Sequence, residues 1–390
     1  MRPDVTLISP YPRLGNRHDG ESGVASYTAN LAHALSDAGA RVCVVAPEVA
    51  GEPAVGHDGP VEVRRAFRTG HARAVPQALA AARATEPRHV HLQHELFLYS
   101  GASGLPATMA ALARNKASGP PTTITMHQVV RPSAVTSDYT AMHRVAVPPV
   151  AARAAIAGVQ RVLPRLADTV LVHEPSFREV VRGAVVVPHG IEVPAETPET
   201  PSDVRRRLGV PADDFVALCF GFVAPYKGLE TALEAGELAG APVHVVVAGG
   251  PHPRLAAQGD DYADRLKRRW GGTSSFTGYV PDEQVADWFR AADVALQCYP
   301  EPHASSGPLA LALAHRTPVL LSRRLGEVVG ASPELTVADG PAAWADRLRT
   351  LAASPQALAA VRAEVGSMAA DRTWPAVARR HLAVYEGRTR

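Results

Sequence analysis

The chain has 390 residues, 46% of them apolar and 20% charged, with a formal net charge of +2. That length exceeds one ordinary core and fits two domains of middling size; the composition excludes a disordered or fibrous chain, and near-balanced charge without a dense basic run argues against a nucleic-acid partner. No stretch approaches the roughly 18 to 20 apolar residues that cross a bilayer, residues 1–8 are too short and lack the cleavage site of a signal peptide, and Cys43, Cys219 and Cys298 lie far apart in apolar runs, as reduced core thiols of a cytoplasmic protein would.

Short β-branched runs alternate with longer segments rich in alanine, leucine and arginine, the pattern of βαβ units and a parallel sheet. Strands are predicted at 5–8, 41–46, 89–93, 122–126, 169–173 and 184–188, with a helix over about 22–38 that carries Tyr27, Leu31 and Leu35 at helical spacing and stops at Gly39. Residues 1–193 thus read as a doubly wound domain. Residues 194–213 hold Pro194, Pro198, Pro201 and Pro211 among small polar residues without periodicity, and read as a linker. Strands at 215–220, 243–248, 274–277, 293–298 and 317–322 then alternate with helices at 228–239, 260–270, 282–291 and 307–315. They predict a second domain over 214–372, with 373–390 a terminal helix packing back toward the first. The expected fold class is α/β, two Rossmann-like domains facing a central cleft where a nucleotide and a second substrate meet.

Lys227 is one of three lysines against thirty-seven arginines and sits in Phe220-Gly221-Phe222-Val223-Ala224-Pro225-Tyr226-Lys227-Gly228. A compact ammonium where a strand gives way to a helix points to an anionic ligand such as phosphate. A plain turn closed by Gly228 would show the same spacing. Two other segments could bring backbone N–H groups to an anion: Gly15, Gly20 and Gly23 with Ser22 as N-cap, and Ser305-Ser306-Gly307 before Pro308. The first lacks dinucleotide spacing and is also what a surface loop looks like; the second is also an ordinary helix cap. His89, His91 and His94 follow one strand, but no carboxylate or cysteine completes a metal-ligand spacing, so no metal is expected. Gln93-His94-Glu95 ends a strand on the ligand side, making His94 and Glu95 candidates for substrate contact, with Arg131 beyond them. Asp293 reads as support for a strand. Arg144, Arg153, Arg161 and Arg165 flank a helix whose face suits solvent better than anionic lipid, so peripheral membrane contact is not favoured.

Several segments together carry a resemblance. Gly23-Val24-Ala25-Ser26-Tyr27 with Asn30-Leu31-Ala32, Gln93-His94-Glu95, Thr125-Met126-His127, Pro188-His189-Gly190-Ile191, Gly221 with Lys227-Gly228, Gly249-Gly250, Gly278-Tyr279-Val280, Ala292-Asp293-Val294 and Thr317-Pro318-Val319 occur in the order seen in family 4 glycosyltransferases. The resemblance runs nearly the full chain, to Thr373-Trp374-Pro375. It implies the GT-B fold and retaining transfer of a sugar from a nucleotide-sugar donor (UDP-, GDP- or another) to an acceptor the sequence does not name. It implies no cofactor beyond that cosubstrate, and usually no metal.

Carried over by residue, the resemblance makes Lys227 the cation on the donor diphosphate, beside Gly221, Ser305, Ser306 and Gly307. Gly23 becomes the loop residue near the reacting phosphate, His127 a group near the donor sugar through its backbone or imidazole, and Gly278, Tyr279 and Val280 the border of the base. No residue stands out as a covalent nucleophile, so the leaving phosphate itself would take the acceptor proton on the same face. The chain departs from the family at Phe222, where an arginine is common, and at His303 and Leu311, which fall where two glutamates are usual. Glu301 could replace the first glutamate; Leu311 cannot replace the second, which holds the donor ribose. A different ribose contact, a different donor, a nucleotide-sugar epimerase or hydrolase, and a catalytically silent GT-B subunit all fit these departures.

Overall fold

The computed structural model describes residues 2–16, 23–96, 98–137, 140, 147–195, 197–252, 259–300 and 306–388. The chain divides into two units, Met1–Gly190 with Arg372–Arg390, and Ile191–Asp371.

In the first unit β1 (Val5–Ile8), β2 (Val42–Pro47), β3 (Val55–Asp58), β4 (Val61–Phe67), β5 (His89–His94), β6 (Thr122–Met126), β7 (Thr169–Val172) and β8 (Val185–Val186) form an eight-stranded sheet ordered β3-β4-β2-β1-β5-β6-β7-β8. All its neighbours are parallel except the β3–β4 hairpin. Strands β1, β5 and β6 are buried along their whole length, as helices on both faces of a parallel sheet require. The helices are α1 (Gly23–Asp37), α2 (Ala74–Arg83), α3 (Leu105–Ser118) and α4 (Pro149–Leu166).

The sequence pattern misses β3 and β4. Val61, Val63 and Phe67 do face inward, but Arg65 breaks the alternation of apolar and polar positions because it is itself buried. Its guanidinium donates to the Tyr11 and Pro12 carbonyl oxygens at 2.9 and 2.6 Å, which replaces the lost water.

In the second unit β9 (Phe215–Phe220), β10 (Val243–Ala248), β11 (Ser274–Gly278), β12 (Val294–Gln297), β13 (Val319–Ser322) and β14 (Thr336–Val337) form a parallel six-stranded sheet ordered β11-β10-β9-β12-β13-β14. One helix, α5 (Pro201–Leu208), lies inside the segment expected to be a linker. Thr200 and Asp203 close a capping box, Pro201 opens the first turn, and Gly209 ends the helix at φ 69°. Eight residues, four of them charged, show no apolar periodicity; tertiary contacts hold them instead. Arg205 donates to the Ala291 and Asp214 carbonyl oxygens and to Asp293 Oδ2, which also accepts from Val216 N–H at 2.7 Å. Asp293 therefore supports β9.

The remaining helices of this unit are α6 (Leu229–Ala239), α7 (Tyr262–Trp270), α8 (Asp282–Ala291), α9 (Gly307–Ala314), α10 (Arg323–Val329), α11 (Pro341–Ala353) and α12 (Pro355–Ala370). Helix α13 (Trp374–Tyr385) returns to the first unit and packs on α1. In each sheet the strand order reverses beside the first strand, between β1 and β5 and between β9 and β12. Open α/β sheets take ligands beyond the C-terminal ends of strands at such switch points.

Candidate functional site

Strand β9 ends at the second switch point. Gly221 turns the chain at φ 96°, and Pro225–Lys227 make a short 3-10 turn before Gly228, at φ 65°, leads into α6. A Cβ on Gly228 would stand 2.2 Å from the Cys298 carbonyl oxygen, so close packing also requires that glycine, and one on Gly221 would stand 2.6 Å from Lys227 Nζ. Lys227 folds back over the strand end and is buried. Its Nζ donates to the Phe220 carbonyl oxygen at 2.8 Å, its partner among the described residues. Burial lowers its pKa to about 8.

Pro308, in the first turn of α9, reaches the same spot, 3.4 Å from where a Gly221 Cβ would be. Ser306 caps α9: its Oγ accepts from Leu309 N–H at 3.3 Å and donates to Gln297 Oε1 at 3.0 Å. A buried ammonium, a strand end without side chain and a helix N-terminus therefore meet, which is an arrangement for an anion. The end of β10 is pressed against it: a Cβ on Gly249 would lie 2.1 Å from the Gly221 carbonyl oxygen, and Gly249 bridges Gly278. Beyond Gly278, at φ 73°, Tyr279 is exposed and Val280 buried. Leu311 packs partly buried against the apolar core, and Phe222 is exposed with its ring beside His252. Glu301, His303 and Ser305 lie outside the described residues, as do Gly20, Ser22 and Arg144.

In the first unit, Gly23 opens α1 with open space around it. His127 follows β6. Its Nε2 lies 2.8 Å from Gln93 Oε1 and its Nδ1 3.1 Å from His173 Nε2, and its backbone N–H donates to the His94 carbonyl oxygen at 2.9 Å. Burial, then the neighbouring imidazoles, hold its pKa well below the ordinary value. The rings of His127, His173, His189 and Trp374 surround Tyr27 at centroid distances of 4.7, 5.3, 4.9 and 5.2 Å. Gly190 makes room for the indole, because a Cβ there would stand 2.5 Å from it.

Of the other residues singled out for substrate contact, His94 is buried with Nδ1 unpartnered among the described residues, and burial lowers its pKa to about 4. Glu95 is half-buried, which raises its carboxyl. Arg131 is exposed and paired with Glu179 at 2.7 Å. The structure thus brings together Lys227, Gly221, Ser306 and Gly307 in the second unit, and His127 and His94 in the first, with Arg131 on the surface. His173 and Trp374 belong to the histidine cluster but were not singled out as site residues. The available signal was a histidine closing or directly following three neighbouring strands, at His94, His127 and His173. The three cysteines are buried and free, no helix among the described residues is long and apolar enough to cross a membrane, and no group of described residues could hold a metal ion.

Two Rossmann-like domains with these switch points define a GT-B type of α/β protein. Sucrose-phosphate synthase from Thermosynechococcus elongatus shares the fold over 98% of both chains, with a TM-score of 0.65 at 19% identity. Anabaena HepE, solved in complex with UDP and glucose, matches over 99% of this chain and 100% of its own, with a TM-score of 0.64 at 14% identity. Residues 22–193 match the family model described as Glycosyltransferase Family 4. A D-inositol 3-phosphate glycosyltransferase of Xylanimonas cellulosilytica is 34% identical over 220 residues, covering 53% of this chain and 51% of that protein. One of Thermobispora bispora is 31% identical, covering 55% and 52%. The chain spans about half the length of the curated relatives it matches.

Proposed function

We propose that this protein transfers a sugar from a nucleotide-sugar donor to an acceptor hydroxyl with retention of anomeric configuration. The observation that carries the reading is the buried Lys227 ammonium beside Gly221 and the first turn of α9. As the bond from C1 of the sugar to the phosphate oxygen breaks, negative charge gathers on the leaving diphosphate. Lys227 and the N–H groups around Gly307 stabilise it without reorganising, and fixed donors of this kind are each worth about 10² to 10³ in rate. The acceptor oxygen bonds to C1 on the same face and gives its proton to the departing phosphate. His127 acts at the transferring sugar, and His94 and Glu95 contact the acceptor. Arg131 already holds Glu179, so it takes part only by exchanging that partner.

HepE, solved with UDP, supports a nucleotide donor, and the named relatives make a polyol phosphate the first acceptor class to try. A thermal-shift screen against UDP, GDP, ADP and dTDP and their sugar conjugates tests the reading, because a ligand that binds the folded state raises its melting temperature. A selective shift that disappears in Lys227→Ala is the expected result. No shift with any nucleotide would rule out the transferase in favour of a silent GT-B subunit, and donor turnover without acceptor would favour a hydrolase or epimerase.

A further inference from the structure

The first domain carries a run of hydrogen bonds that fixes where the protons of its buried histidines lie. His173 Nδ1 faces the Val187 carbonyl oxygen at 2.9 Å. A carbonyl only accepts, so this nitrogen bears the proton, and in a neutral ring His173 Nε2 is a bare lone pair. His127 Nδ1, 3.1 Å away, must then be the donor to it. That leaves His127 Nε2 bare, and it needs a donor from the Gln93 amide at 2.8 Å.

The two orientations of a planar amide differ only in exchanging O and N, and hydrogen bonding decides between them. With the Gln93 NH2 toward His127, the amide oxygen turns to His91 Nε2, for which Gln93 is a partner at 3.3 Å. His91 Nε2 then carries its proton, shared with Thr125 Oγ1 at 2.7 Å, and His91 Nδ1 accepts from the Tyr385 hydroxyl at 2.6 Å. In this arrangement every donor from Tyr385 to Val187 points the same way and no ring needs a charge. The opposite amide orientation sets His127 and His173 lone pair to lone pair unless an extra proton is taken up.

Around that pair stand Tyr27, His91, His94 and His189, with His381 and the buried Arg372–Glu174 ion pair on the His173 side. The single cation among them, Arg372, repels a second positive charge, and burial holds both rings away from their protonated forms.

We propose that His173 and Gln93 are positioning residues for His127, holding it neutral, with its proton on Nδ1 and its Nε2 committed to the Gln93 amide. The proposal rests on the reading that His127 acts at the transferring sugar. The anomeric carbon becomes positive as the phosphate leaves, and an imidazolium there would oppose it. A ring whose nitrogens are both engaged is no general base; it contributes shape and a fixed dipole. The tautomer is therefore set two hydrogen bonds away, at the Val187 carbonyl.

The test is 15N NMR of histidine side chains in the full-length protein, titrated from pH 5 to 8, for the parent and His173→Asn. Asn can still donate to Val187 but gives His127 nothing to donate to. In the parent, His127 is expected to show a pyridine-like Nε2 and no titration. In His173→Asn burial still opposes a charged ring but the acceptor for Nδ1–H is gone, so the two neutral tautomers are expected to mix, with both His127 ring nitrogens at intermediate 15N shifts, and UDP release from UDP-glucose should slow. A parent His127 with its proton on Nε2, or an imidazolium at pH 7, overturns the proposal. So does a variant whose His127 15N shifts match the parent's. The NMR readout needs no substrate, so absent turnover would count against the function while the tautomer stands or falls separately. If His173→Asn does not fold, the parent spectrum still decides.

Discussion

In the second domain a buried ammonium, Lys227, stands among glycine backbone and the first turn of α9; in the first domain a histidine, His127, stands among imidazoles, an amide and aromatic rings. Burial pushes both toward the uncharged form. They differ in what surrounds them. Lys227 has three N–H donors and spends one on the Phe220 carbonyl, so an arriving anion can hold it charged. Both nitrogens of His127 are engaged by neighbours, so nothing arriving can. Similar desolvation thus prepares one group for charge and another for neutrality, and the partners decide which.

Acid should separate the two regions most. Burial holds His89, His94 and His381 at about 4 and His173 at about 3. These folded values lie below the unfolded value of about 6.5, so the unfolded chain binds more protons as pH falls. The stability is fully present above pH ~6.5 and is lost from there down toward the folded values, on the order of 8 kcal/mol for the four together by pH ~5. Calorimetry between pH 7 and pH 5 should show the first domain's transition falling well ahead of the second's. Two transitions that fall in parallel would contradict this.

Lys227→Ala is expected to lower turnover by about 10² to 10³, on the order of 3–4 kcal/mol, with little change in melting temperature. Near-full turnover at saturating donor would sink its assignment. Gly249→Ala should cost about 2–4 kcal/mol in denaturant unfolding, because the new Cβ meets the Gly221 carbonyl at 2.1 Å, whereas Gly23→Ala, in open space, should stay within about 0.5 kcal/mol. Equal midpoints for these two would show that the strand end yields.

A diphosphate needs the charged form of Lys227, whose pKa in the empty site is about 8. Nucleotide affinity, measured by calorimetric titration, should therefore hold below pH 8 and weaken by up to about tenfold per pH unit above it. An affinity flat to pH 9.5 would show that Lys227 does not carry the binding. The smallest effect belongs to Tyr27→Phe: its buried hydroxyl has no partner among the described residues, so stability should change by less than about 1 kcal/mol.

The fold was largely legible because strands buried on both faces read as unbroken apolar runs, as in β2, β9 and β10. Elements held by charged side chains were not. Strand β4 hides Arg65 and helix α5 hangs on Arg205, and neither leaves an apolar period. The Lys227 turn could be found because a rare lysine stood beside two glycines, and the fold brings Gly221, Lys227 and Pro308 together as local spacing suggests. The histidine cluster was only half legible. His127 stood out, but its partners His173 and Gln93 come from other strands, and Trp374 and Tyr385, which meet Tyr27 and His91, come from the last helix, so sequence spacing does not reveal which of them touch.

The chain leaves the first domain at Gly190 and re-enters it at Arg372. The second domain is therefore an uninterrupted insert, while the first is completed by residues 372–390, where Arg372 meets Glu174 and Trp374 meets Tyr27 edge-on. During synthesis the domain begun first is completed only after the second has been made, and a chain truncated at 371 would carry its whole second domain while Tyr27 and His91 of the first lacked Trp374 and Tyr385.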